Sequence, residues 1–261
     1  MNIPIYQVDA FTDQPFRGNP AAVCLLEAWP DDSLLQAIAL ENNLSETAFL
    51  MRQGDAYALR WFTPLVEVDL CGHATLASAY VIFNHIEPSR HEVAFNTRSG
   101  VLRVTRKGDL LHMDFPSQPP QPCSCPADLL HGLGKPPRET LRAGYYLAVF
   151  DTEDEILGLQ PEPERLKRLD LPAVIVTAKG TSVDFVSRAF GPKVGIPEDP
   201  VTGSAHCILA PYWARRLGKK IFHARQVSKR GGDLFCELIG DRVDIAGQAV
   251  LFLKGEIHLG P

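Results

Sequence analysis

The chain of 261 residues has no apolar run near the roughly 18 residues that a membrane-spanning helix needs, so no helical span is expected. Its opening, MNIPIYQVDAF, lacks a basic stretch followed by an apolar one. It reads as a first strand rather than a secretory leader, and the expected compartment is the cytoplasm. Cysteine is scarce, and six residues are too few for a disulfide framework, so free thiols are expected. Positive charge is not in excess either: 26 Lys and Arg stand against 31 Asp and Glu, a formal charge of −5. That leaves no electrostatic footprint for a phosphate backbone, which argues against nucleic acid as a partner. Neither a Walker loop nor a GxGxxG fingerprint is present, so no nucleotide cofactor is expected. No metal is expected: Cys123-Ser-Cys125 has no further Cys or His at ligand spacing, and His91-Glu92 lacks the second His of a zinc-protease helix.

What is present is an ordinary globular composition, 45% apolar, enough for one large domain or two of about 130 residues. Residues 3–11 read as a strand running into the turn-rich FTDQPFRGNPAAV, and DDSLLQAIALENN as a helix with Leu34, Leu35, Ile38 and Ala39 at helical spacing. Strands are expected at Thr47–Met51 and Tyr57–Phe62, followed by the loop TPLVEVDLCGH. ATLASAYVIFNH, apolar almost all round, predicts a helix buried against a sheet. VAFNT, VLRVT and LLHMDF follow as strands, the last two joined by a turn at Lys107, Gly108 and Asp109. Five prolines between Pro116 and Pro126 exclude helix and central strand, leaving an extended crossover. Beyond it YYLAVF, AVIVTA and SVDFVSRAF predict strands; EDEILGL, PERLKRL and AHCILAPYWARRLG predict helices; IFHARQVS, LFCELIG, RVDIAG and AVLFLKGEIHL predict closing strands.

FTPLVEVDLCGHATLASAY in the first half is echoed by FGPKVGIPEDPVTGSAHCILAPYW in the second: Phe-x-Pro, acids, then Gly-x-Ala opening an apolar helix that reaches a Tyr. Gly72 and Gly203 anchor the match, 131 residues apart, half the chain. The arrangement predicts a duplicated unit, with boundaries at 1–118 and 127–261 around the crossover 116–126. Helix N-termini present unpaired N–H groups and a positive partial charge. Two of them facing one cleft, at Gly72 and Gly203, would hold a small carboxylate, with His73 and Ser204 beside it. Taken singly, such glycines more often let loops pack closely. Glu46, in NNLSETAF at the mouth of a strand, would have its charged form disfavoured by an apolar cleft, the setting in which a carboxyl group gives and takes protons. A loop Glu more often merely caps or solvates. Asp199 in PEDPVTGSA is ambiguous in the same way, since Asp-Pro is a common turn element.

The set GNPAAV, NLSETAF, FTP with DLCGHAT, and EDPVTGSAH, in that order and over essentially the whole chain, resembles the PhzF-like isomerases, named for an enzyme of phenazine biosynthesis. The resemblance implies an α+β fold like that of diaminopimelate epimerase: two similar, pseudo-symmetric halves, each a mostly antiparallel sheet around a central helix, with the active site between them. It implies that Glu46 shuttles a proton on a small carboxylated substrate without any cofactor. It further implies that His73, Asp199 and Ser204 complete the catalytic set, with Gly72 and Gly203 as substrate-binding loop glycines. A homodimer is expected because relatives form one.

Two other readings stay open. Diaminopimelate epimerase and proline racemase use two thiols, each directly before the loop glycine. Here Cys71 precedes Gly72 but Thr202 precedes Gly203, and Cys207 lies a turn into the helix, so a two-base racemisation lacks one thiol. A binding module that holds a small acid without chemistry is the third reading, and it leaves Glu46 without a task.

Overall fold

The computed structural model describes residues 2–260, and the chain forms two compact units: one runs to Asp114 and resumes at Ala246, the other is Phe115–Ile245. In the first, β1 (Asn2–Ala10), β2 (Asn19–Leu26), α1 (Asp32–Asn42), β3 (Glu46–Gln53), β4 (Ala56–Phe62) and β5 (Glu67–Val68) lead into α2 (Gly72–Val81), and β6 (Glu92–Thr97), β7 (Gly100–Lys107) and β8 (Leu110–Pro116) follow. β1 pairs antiparallel with β2, β2 parallel with β3, β3 antiparallel with β4, β4 antiparallel with β5 and parallel with β6, and β6 antiparallel with β7. The parallel steps are the ones that need a crossover, and α1 and α2 supply it.

The second unit opens with β9 (Gln121–Pro122), α3 (Ala127–Leu133), β10 (Glu139–Arg142), β11 (Tyr146–Val149), α4 (Glu153–Gly158) and α5 (Pro163–Leu166). It continues through β12 (Val174–Lys179), β13 (Phe185–Gly191), β14 (Ile196–Asp199), α6 (His206–Leu217), β15 (Ile221–Gln226) and β16 (Gly232–Ile239). β10 to β16 repeat the succession strand for strand: antiparallel, parallel, antiparallel, antiparallel with parallel, antiparallel. This is the α+β architecture of two similar halves that the motif repeat predicts. β17 (Arg242–Gly247) then leads to β18 (Ala249–His258), which pairs antiparallel with β1 and so returns to the first unit. β9 holds the same position against β10, but it precedes β10 in the chain.

α2 buries His73 to Ala79 and Val81, and packs on β1, β2, β3 and β18. Its sequence is apolar all round because it is enclosed all round. The helix expected to continue to His85 instead widens into a single π turn at Ile82–Ile86, closed by Glu87 N–H on the Ile82 carbonyl at 2.7 Å. α6 carries Pro211 in its interior, which leaves the Cys207 carbonyl without its helical donor. The backbone N–H of Gln118, in the proline-rich crossover, supplies the bond at 2.9 Å. The crossover is thus tied to α6 through the carbonyl that the proline frees.

Some elements depart from the sequence expectation. GNPAAV is not only a turn: Asn19 begins the buried strand β2. α3 and β10 were not expected, and the PERLKRL helix ends at Leu166. In the crossover Gln121 and Pro122 form a short edge strand, where proline costs no central ladder bond. Gly18, just before β2, has φ +64°, and a Cβ there would lie 2.1 Å from the Ala10 carbonyl oxygen. We expect Gly18→Ala to destabilise the protein by at least about 2 kcal/mol, read as a lower urea midpoint, because both the backbone angle and the contact forbid a side chain. An unchanged midpoint would contradict this.

Candidate active site

α1 ends in a left-handed Asn43, and the Asn42 side chain holds Thr47 Oγ1 at 3.1 Å, so the chain reverses and starts β3 at Glu46. Parallel register sets Glu46 opposite Ala21 on β2, two residues from Asn19. His73, one residue into α2, reaches the same point, with Cys71 at the helix N-cap. All four side chains are buried: Asn19 is 0% exposed, His73 5%, and Glu46 and Cys71 7% each.

His73 Nε2 lies 3.1 Å from Glu46 Oε2. Neither atom makes an aligned hydrogen bond, so the approach is a charge contact rather than a closed pair. On the other ring nitrogen, Nδ1, the Asn19 amide sits at 3.2 Å and the Cys71 sulfur at 3.5 Å. Burial opposes the imidazolium, but Cys71 and the Glu46 carboxylate outweigh it and hold the His73 pKa well above 6.5. Burial, then the charge of Glu46, push the Cys71 thiol up against the lowering effect of His73. A carboxylate and an imidazole 3.1 Å apart, nearly dry, can pass a proton between themselves and a bound carbon acid.

Asp199 and Ser204 lie in the second unit. Asp199 closes β14 rather than sitting in a free turn, and its Oδ2 accepts from Thr202 Oγ1 at 2.6 Å. Gln226, fully buried, donates to the Asp199 carbonyl at 2.7 Å and accepts from Thr202 N–H at 2.9 Å. β14 is itself pinned by Arg188, whose guanidinium forks onto Glu198 at 2.7 and 3.0 Å and also binds the Ile156 and Leu159 carbonyls. Ser204 Oγ shares a hydrogen bond with the Tyr145 hydroxyl at 3.2 Å. Gly72 is the first residue of α2. Gly203 opens a single 3-10 turn, Gly203–Ala205, and α6 proper starts at His206. Thr202 is engaged by Asp199, and Cys207 lies close to Cys236.

Within the first unit the structure brings Glu46 and His73 together, and within the second it sets Asp199 three residues from the Thr202 that holds it. Asn19, Thr202, Tyr145 and Gln226 are partners that reading the sequence missed. Only Asn19 carried a signal, a polar side chain at the head of the apolar run AAVCLL.

The phenazine biosynthesis-like protein family matches residues 8–255. An uncharacterized isomerase of Pseudomonas aeruginosa is 55% identical over 259 residues, covering 99% of this chain and 100% of that protein. A crystal structure of a phenazine biosynthesis protein of the PhzF family from Enterococcus faecalis superposes with a TM-score of 0.96 at 48% identity, covering 99% of this chain and all of that one. A probable proline racemase from Agrobacterium radiobacter shares the fold, with a TM-score of 0.67 at 12% identity, over 99% of this chain and 94% of that one.

The two buried histidines act on stability in opposite directions. A raised His73 pKa means that the folded chain keeps a proton which the unfolded chain loses above about 6.5, so stability falls as pH rises through the folded value. We expect the urea midpoint to decline above pH 6.5 in the wild type and to decline less in His73→Gln; equal slopes would count against the raised value. His206, in contact with Phe185, is pushed down to about 4 by burial, so the unfolded chain binds the extra proton between about 6.5 and 4. Acidification across that window should cost about 3 kcal/mol, and His206→Asn should flatten that slope.

Proposed function

Because the chain belongs to the phenazine biosynthesis-like family, we propose that it is an isomerase of a small carboxylated substrate, moving a proton through Glu46 without a cofactor. The observation that carries this reading is the Glu46–His73 contact at 3.1 Å in a buried setting, where both facing atoms lack an aligned partner. Protein interiors pair their buried polar groups, so an unpaired, buried carboxylate and imidazole mark a candidate ligand site.

In this mechanism the Glu46 carboxylate removes a proton from a carbon beside an electron-withdrawing group. The resulting charge spreads into that group, a double bond shifts, and the same carboxyl group returns the proton to another carbon on the same face. No electrons leave the substrate and no group is transferred. His73, held as an imidazolium, stabilises the developing negative charge. Asp199 and Ser204 orient the substrate, Asp199 through an oxygen fixed by Thr202 and Ser204 through a hydroxyl fixed by Tyr145. Gly72 and Gly203 bring backbone N–H groups to the substrate carboxylate.

A two-thiol racemase fits less well. Cys71 stands beside His73, but its counterpart Thr202 is a hydroxyl already donated to Asp199, and Cys207 neighbours Cys236 instead. A binding module has no use for a buried carboxylate and imidazole held facing each other.

The test is solvent deuterium uptake into a diverse panel of small carboxylic acids, read by mass spectrometry. Wild type should label at least one acid. Glu46→Gln should lose exchange by about 10²-fold or more with the fold unchanged by circular dichroism. Near-wild-type exchange in that variant would remove Glu46 from the mechanism, and binding without exchange across the panel would favour the binding module.

A further inference from the structure

The corner from Asp199 to Thr202 is held by side chains that come from elsewhere in the second unit. Gln226, the last residue of β15, donates from its amide nitrogen to the Asp199 carbonyl at 2.7 Å and accepts from Thr202 N–H at 2.9 Å. Ser228 Oγ donates to the Pro200 carbonyl at 2.7 Å. His206 Nδ1, from α6, lies 3.0 Å from the Thr202 carbonyl. A carbonyl only accepts, so Nδ1 carries the proton. Gln226 and His206 are both 0% exposed. We propose that Gln226 is a positioning residue, which aims the Asp199 carboxylate by gripping both ends of its corner. The inference rests on the isomerase reading above, in which Asp199 orients the substrate.

Both ends of the Gln226 amide are specified, the donor by a carbonyl and the acceptor by an N–H, so the group has a single orientation. The same nitrogen lies 3.3 Å from Thr202 Oγ1, the hydroxyl that donates to Asp199 Oδ2 at 2.6 Å. One amide therefore touches the main chain of Asp199 and the hydroxyl that fixes its carboxylate. Buried backbone groups need partners in any fold, which alone would make Gln226 a structural filler. The repeated unit shows that the frame can do without this device. β6 holds the place in the first unit that β15 holds in the second, each parallel to the strand before its helix. β6 ends in Thr97, whose hydroxyl turns back to the Gly100 carbonyl of its own hairpin.

The amide also has a chemical signature that a filler lacks. In Gln226→Glu an ionised carboxylate can still accept from Thr202 N–H, but it cannot donate to the Asp199 carbonyl. Once protonated it can do both, and burial beside Asp199 raises its pKa above the usual value of about 4.3. Of the elements packed on Gln226, β14 brings the Asp199 carboxylate and α6 brings His206, which titrates at about 4. The registered neighbours on β13 and β16, Ser187 and Gly232, are neutral.

The experiment measures deuterium uptake between pH 5.5 and 8 with an acid that the wild type labels. The probes are the full chain and its Gln226→Met and Gln226→Glu variants, each first checked for folding by circular dichroism. At saturating acid Gln226→Met should be slower by about tenfold or more at every pH, because a small misplacement of an orienting group is costly. Gln226→Glu should match that loss at pH 8 and regain about fivefold or more, relative to wild type, by pH 5.5. A folded Gln226→Met within about twofold of wild type overturns the proposal, as does a Gln226→Glu ratio that stays flat with pH. The two readings separate cleanly. If the wild type labels an acid and Gln226→Met keeps its rate, the isomerase stands and the positioning role falls; if the wild type labels nothing, both fall.

Discussion

A carboxylate and an imidazole facing each other at 3.1 Å in a nearly dry interior set the terms for everything around them. Either charge buried alone would cost several kcal/mol, so removing one partner is worse than removing both. The pair also has to be delivered from two elements that are distant in sequence, the first residue of β3 and the second residue of α2. That requirement explains the local devices: the left-handed Asn43 that turns α1 into β3, the close approach at Gly18, and the Asn19 amide braced on the far nitrogen of the ring. Each fixes a direction, and none adds much core.

The second unit repeats the strand pairings of the first but uses the equivalent corner differently. Where α2 begins with Cys71, Gly72 and His73, α6 is preceded by Thr202, Gly203 and Ser204, and the polar work goes into fixing Asp199. The two frames are similar, and the residues at their equivalent corners are unequal. A symmetric pair of thiols would suit a reaction with two equivalent faces; here one frame carries a Glu–His pair and the other an Asp–Thr pair.

Much of this was legible in the sequence. The repeat around Gly72 and Gly203 predicted two similar halves because a duplicated loop-to-helix junction leaves its glycine and its apolar helix in register. The buried helix after Gly72 was legible because enclosure on all sides removes the polar stripe. The role of Asn19 was hidden in a turn-like motif, since Gly-Asn-Pro reads locally as a break while the β2 pairing with β1 and β3 decides the conformation. Tyr145 and Gln226 carried no signal at all, because a single polar residue becomes a site partner only through long-range register. The closeness of Glu46, Cys71 and His73 likewise comes from β3 lying beside the N-terminus of α2 rather than from a short motif.

The return of β18 to β1 gives the two units different histories on the ribosome. The second unit is continuous from Phe115 to Ile245 and has its contacts in hand as soon as that stretch has emerged. The first unit cannot finish: until residues 249–258 are made, β1 presents an open edge along its whole length, and its partner is the most distant strand in the sequence. The half that carries Glu46 and His73 is therefore completed after the half that carries Asp199 and Ser204. Through that interval it resembles an unprotected sheet edge of the kind that invites pairing with another chain.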